Sequence, residues 1–259
     1  MSKHLIMFSL IFVIMIITSV EAISPFVENS ISEAEDFLYS TNNFKMNRPF
    51  IYEWLDWFLG TQYLYFANTI LLSGNDNNIK SIIQHEYGHA VLDKLYNNYP
   101  ICSKDLRKAH FYNLPMSCES SAFNEGWATA FTLAVRNNDS VTGGESNVYF
   151  RIPFENRTLF ENTIKYYYNK NYIPSSFVEG TTSMILWDII DNASSTDNSP
   201  NIDDDYINDR FDLLFQVLNQ SKPWDIMEFY DDWIVVLNSL KIINNLTFID
   251  RQDLRSYIK

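Results

Sequence analysis

Two histidines four residues apart, inside a mostly apolar helical stretch, constrain this chain more than any other feature. Ile79, Ile82, Ile83, Tyr87, Ala90, Val91 and Leu95 recur at helical spacing, and Leu92 and Tyr96 widen the apolar surface. A helix so largely apolar should be buried. Asn77 or Asn78 can cap its start, and Asn97-Asn98-Tyr99-Pro100 ends it. Within it stands His85-Glu86-Tyr87-Gly88-His89. Four helical residues turn through about 400° and rise about 6 Å, so the two imidazoles lie about 40° apart on one face. Both rings can therefore reach a single metal ion. Glu86 is turned about 100° from His85, which makes it a poor ligand but lets it accept a proton from water on that ion. One zinc ion is expected, because imidazole and carboxylate suit it and it tolerates a tetrahedral site with an open position.

Such a site needs a third protein ligand. A second buried helix is expected over about Ser120 to Val135, and it carries Asn124-Glu125-Gly126-Trp127-Ala128. A charged Glu in so apolar a run is costly unless paired, and a metal supplies the pairing. The plainer alternative is a cap or a salt bridge in the core. Gly126 inside a helix costs stability, which points to a close packing partner. The rivals for the third position are weaker. His110 lies in a presumed disulfide loop, Cys102 and Cys118 are better used on each other, and Glu179 in Val178-Glu179-Gly180 is a fallback.

His-Glu-x-x-His on one helix followed by Asn-Glu-Gly-Trp-Ala on the next resembles the gluzincin metallopeptidases, with thermolysin-like and fungalysin-like enzymes as the nearest relatives. The chain looks most like a secreted branch that carries a later Leu-Trp-Asp-x-x-Asp, here Leu186-Trp187-Asp188-Ile189-Ile190-Asp191. The resemblance implies that His85, His89 and Glu125 are zinc ligands and that Glu86 serves as base and then acid. It covers roughly residues 60 to 192. Two departures matter. Thermolysin-like enzymes commonly carry an Asp four residues after the glutamate ligand, where it orients a zinc histidine, and here that position is Thr129. Asp188 or Asp191 is expected to do this work, against an equal alternative in which both are helix-surface or cap residues. Asn124 is grouped with them as a residue that supports the ligating rings. Second, only about sixty residues separate the leader from the histidine helix, which leaves room for a minimal core. The donor that would stabilise an oxyanion is not identified; Tyr166, Tyr167, Tyr168, Tyr172, His110 and Tyr112 are the candidates.

The fold class expected is α+β, mostly α. It comprises a zincin-like core with a small N-terminal sheet and an α-helical C-terminal part. Lys3 and His4 open the chain, an apolar stretch runs from Leu5 to Ile17, and Val20-Glu21-Ala22 offers a cleavage site. Residues 1–22 thus read as a secretory signal peptide, with an uncleaved signal anchor as the alternative. Residues 23–192 would form the peptidase core, and residues 193–259 an acidic loop and a helical subdomain packed on it. The expected location is extracellular, with no stable membrane span after cleavage and a monomeric chain. In an oxidising compartment, one disulfide between Cys102 and Cys118 is the simplest use of the only two cysteines. Sequons stand at Asn138, Asn156, Asn192, Asn219 and Asn245, so a glycoprotein is expected if the host glycosylates. A net charge of -13 with no long basic run argues against nucleic acid as a partner. The partner expected is a peptide or protein substrate. Two other readings stand beside a peptidase: a non-catalytic zinc-binding extracellular module, and a zinc hydrolase of a non-peptide amide. Glu86 argues for chemistry, since a non-catalytic zinc module has no need of it.

Overall fold

The computed structural model describes residues 23–54, 60–74, 76–97, 99, 102, 104, 115–137, 175–190 and 210–239. Among these it has six α-helices and one three-stranded sheet. The mostly helical α+β class expected from the sequence fits this arrangement. No described helix is long and apolar enough to cross a membrane.

Helix α1 spans Pro25–Asn42, longer than the Ile31 to Tyr39 that the sequence pattern predicts. Its start is set by Ser24, whose Oγ accepts from the Val27 amide at 3.3 Å, with Pro25 in the first turn. The chain holds only seven glycines in 259 residues, and asparagine takes over the helix-ending role that glycine usually fills. Asn43, Asn97 and Asn137 each stop a helix in the left-handed conformation, at φ 50°, 54° and 47°.

The sheet comprises β1 (Phe50–Trp54), β2 (Gln62–Leu64) and β3 (Thr69–Ser73), in the order β1-β3-β2. β1 runs parallel to β3, with Phe50 opposite Thr69, and β2 runs antiparallel to β3, with Tyr63 opposite Ile70. The single strand expected over Gln62 to Leu72 is instead a hairpin. A 3-10 turn at Tyr65–Ala67 and Asn68 at φ 45° fold the apolar run back on itself. Asparagine tolerates that conformation and lets the turn form without glycine. The aromatic run after Phe50 supplies β1, because Phe50 to Trp54 can pair along β3. β3 is central and buried from Ile70 to Ser73.

Helix α2 (Lys80–Tyr96) follows the sheet and helix α3 (Glu119–Arg136) packs across it. The cap expected at Asn77 or Asn78 lies elsewhere: Ile79 precedes α2 without a side-chain cap, and the Asn77 amide donates to Glu53 Oε2 at 3.1 Å. Asn77 ties the sheet to the turn instead. Helix α4 (Glu179–Ile190) also packs against α3, and helix α5 (Phe211–Ser221) packs against α4 and against helix α6 (Ile226–Ser239). The sequence reads Ser221 as the cap of the last helix, with Pro223 in its first turn; Ser221 instead ends α5. Asp225 caps the last helix: its Oδ1 accepts from the amides of Met227 and Glu228 at 2.8 and 2.9 Å. Pro223 therefore sits in the link between the two helices.

Two glycines set the approach of the helices that carry the motifs. A Cβ on Gly88 would meet the Ala128 Cα at 3.0 Å, and one on Gly126 would meet Thr182 Cβ and Cγ2 at 2.5 Å and the Glu179 carbonyl at 3.0 Å. Gly88 thus lets α2 lie against α3, and Gly126 lets α3 lie against α4. The close partner expected for Gly126 is Thr182. Trp127, fully buried, pins the first crossing by donating from Nε1 to the Gly88 carbonyl at 2.9 Å. Around these crossings lies one aromatic core, in which Phe37 meets Phe211 edge-on at 4.7 Å and Trp127 stacks on it at 6.1 Å.

Cys102 and Cys118 are joined by a disulfide, as expected. Residues 1–22, the helical pattern at Leu159 to Tyr168 and the acidic loop around 192–205 lie outside the described residues. So do the sequons at Asn138, Asn156, Asn192 and Asn245. Asn219 is exposed on α5.

Candidate metal centre

The helical spacing of His85 and His89 places both rings on the face of α2 that looks at α3. Glu125 comes to them from α3, three residues before Ala128, whose backbone fills the space beside Gly88. The three ligand atoms converge: His85 Nε2 and His89 Nε2 are 3.1 Å apart, and Glu125 Oε2 lies 3.1 Å from the first and 3.2 Å from the second. They form the one group of three or more His, Cys, Asp or Glu side chains among the described residues that could hold a metal ion. His89 is buried, and His85 and Glu125 are partly exposed, so the triangle has a closed side and an open one.

The donor set fits zinc. Two imidazole nitrogens facing each other at 3.1 Å with a carboxylate oxygen beside them can share one cation. Sides of this length are compatible with zinc–ligand bonds of about 2.0–2.1 Å, so these three side chains would hold the ion. A proton is the other cation the cluster can hold. Burial pushes the His89 imidazolium down, but the carboxylates of Glu125 and Glu86 and the hydrogen bonds to Glu125 and Asn124 outweigh it and raise the pKa to about 9.

The outer nitrogen of each ring has its own partner. His89 Nδ1 lies 3.2 Å from Asn124 Oδ1, and His85 Nδ1 lies 3.3 Å from Thr129 Oγ1. Asn124 Oδ1 can only accept, which puts the His89 ring hydrogen at Nδ1 and leaves its Nε2 lone pair for a metal. Asn124 was grouped with the supporting residues on sequence, and it touches His89. Asp191 lies outside the described residues, and Asp188 is described only as a position on α4. Glu179, the fallback ligand, stands apart from the triangle and accepts a hydrogen bond from Thr129 at 3.3 Å.

Glu86 is buried on α2, between the two histidines in sequence. It acts electrostatically on both His89 and the Tyr65 hydroxyl. Tyr65 is a site residue that the sequence reading missed. Its hydroxyl accepts from Asn124 Nδ2 at 2.6 Å, and burial, then Glu125, raise its pKa well above the usual phenol value. No motif marks it, because a tyrosine within a mostly apolar run reads as packing. The candidates His110, Tyr112, Tyr166, Tyr167, Tyr168 and Tyr172 lie outside the described residues.

A partly buried His–His–Glu triangle with an acidic neighbour can hold a metal ion, and comparison with known proteins gives its family context. The family model of the mycolysin C-terminal domain matches residues 39–233, three quarters of the chain, so the chain belongs to that family. The matched span covers the positions of His85, Glu86, His89, Asn124, Glu125, Thr129 and Glu179. It puts the chain in a mycolysin and thermolysin-like peptidase context. No curated protein and no solved structure matches the chain.

Proposed function

We propose that this chain is a secreted zinc-dependent peptidase that hydrolyses peptide bonds in peptides or proteins. The observation that carries the reading is the convergence of His85 Nε2, His89 Nε2 and Glu125 Oε2 within 3.2 Å of one another, with Glu86 on the same helix. Zinc held there would polarise the scissile carbonyl and lower the pKa of a water toward about 7. Glu86 takes the proton from the attacking water and delivers it to the leaving amine. Asn124 and Thr129 hold the two imidazoles in the form that offers Nε2. We assign the Tyr65 phenol, which burial and the nearby carboxylates keep protonated, to donating toward the oxyanion that develops on the carbonyl.

Secretion is supported by the leading basic and apolar stretch over 1–22 and by the disulfide, a bond that persists in oxidising compartments. We infer that residues 23–192 form the peptidase core and residues 193–259 a subdomain packed on it. Supporting this, the Tyr96 hydroxyl of α2 donates to the Pro223 carbonyl at 2.6 Å, and the Tyr99 hydroxyl donates to the Trp224 carbonyl at 3.2 Å.

The test is chelation and reloading on a panel of peptides and non-peptide amides. Peptide hydrolysis that stops when zinc is stripped and returns with one equivalent of zinc is the expected result. Hydrolysis indifferent to chelation, or confined to non-peptide amides, would overturn the reading.

A further inference from the structure

Thr129 stands one helical turn after Glu125, on the same face of α3. Its single hydroxyl lies between two groups: 3.3 Å from His85 Nδ1 and 3.3 Å from Glu179 Oε1. Thr129 and Glu179 are both buried, at 2% and 3% exposure. We propose that Glu179, acting through the Thr129 hydroxyl, is the positioning group for His85, a relay of two side chains in place of one direct carboxylate.

The hydrogens fix the direction of the relay. A carboxylate only accepts, so the one hydrogen of Thr129 goes to Glu179. The Thr129 oxygen then has only lone pairs left for His85, so His85 must donate from Nδ1. That assigns the tautomer with its lone pair at Nε2, the atom that faces His89 and Glu125. With the opposite tautomer, the Thr129 hydrogen would turn to Nδ1, leaving the Thr129 oxygen facing Glu179 Oε1 at 3.3 Å with no proton between them. Burial makes that arrangement costly.

The packing explains why the carboxylate comes from α4. Gly126 admits Thr182 and the Glu179 carbonyl at distances a side chain would forbid, so the first turn of α4 is pressed against α3. From there Glu179 reaches the hydroxyl one turn below Glu125. An aspartate at position 129 would stand beside Glu179, two carboxylates in a buried space, whereas threonine links the ring to the carboxylate already present.

This inference rests on the zinc reading of the site. Its experiment measures the zinc dissociation constant by competition with a chromophoric chelator. The proteins are the unmodified chain, Thr129→Val, Thr129→Ser, Glu179→Gln and the double variant Thr129→Val/Glu179→Gln, with melting temperature recorded for each. Thr129→Val is expected to weaken zinc by about 10–100-fold. Thr129→Ser, which keeps the hydroxyl, should stay within about threefold, and Glu179→Gln should weaken zinc less than Thr129→Val. Because the relay is serial, Glu179→Gln should cost nothing further in the Thr129→Val background. Unchanged affinity in Thr129→Val, or a full added loss in the double variant, overturns the relay. If Thr129→Val does not fold, Glu179→Gln decides alone, and unchanged affinity there overturns it. An unmodified chain that binds no zinc would instead sink the reading of the site itself.

Discussion

Asn124 Oδ1 lies 3.2 Å from His89 Nδ1, while its amide nitrogen donates to the Tyr65 hydroxyl at 2.6 Å. One side chain thus joins a proposed zinc ligand to the one tyrosine we assign to the chemistry. It sits immediately before Glu125, so the α3 turn that delivers a carboxylate also delivers the support for a ring. Replacing Asn124 by Ala should weaken zinc by about 10–100-fold, read by chelator competition. Unchanged affinity would mean that the contact orients nothing.

Tyr65→Phe keeps the ring and removes the hydroxyl. If that hydroxyl stabilises the oxyanion, kcat should fall by about 10²–10³-fold while bound zinc stays at one equivalent. A variant with full activity would remove Tyr65 from the mechanism.

Gly126→Ala should destabilise the fold. The new methyl would stand 2.5 Å from Thr182 and 3.0 Å from the Glu179 carbonyl, and separating α3 from α4 costs about 1–3 kcal/mol. The loss should appear as a lower melting temperature. Zinc affinity should fall with it, because Glu179 would move away from Thr129. A melting temperature equal to that of the unmodified chain would contradict the close helix crossing.

Zinc uptake should release protons. His89 has a folded pKa of about 9, raised from 6.5. In the metal-free protein, this proton contributes stability that is fully present below about pH 6.5 and is lost as pH rises through about 9. At pH 7 the ring is charged, and zinc must displace its proton. Calorimetry in buffers of different ionisation enthalpy should therefore find at least one proton released per zinc at pH 7. Apparent affinity should climb with pH up to about 9. No proton release at pH 7 would contradict the charged His89–Glu125 pair.

Periodicity made the site helices legible in the sequence, since an apolar stripe at helical spacing is read directly from side-chain type. The pattern ends α2 at Asn97, where it ends, puts α3 over about Ser120 to Val135 against the observed Glu119–Arg136, and reads a helix at about Glu179 to Ile190, where α4 lies. The same geometry put His85 and His89 on one face, and Glu125 was a candidate because a charge in an apolar run needs a partner; it stands partly exposed beside both rings. The hairpin at Tyr65 to Asn68 was not legible, because a single asparagine in a mostly apolar run makes the turn without glycine. Thr129 looked like the loss of a supporting carboxylate. Its partner Glu179 lies fifty residues away in sequence, and only the approach of α4 to α3 brings the two together. Contacts of that kind depend on tertiary packing and leave no local pattern.

The most direct test of the central claim pairs zinc stoichiometry with casein hydrolysis, on the secreted protein and its Glu86→Gln variant. The account predicts one zinc in both and hydrolysis only in the unmodified protein, with the variant slower by at least about 10²–10⁴-fold. Equal hydrolysis in the two proteins, or no zinc in either, would contradict it.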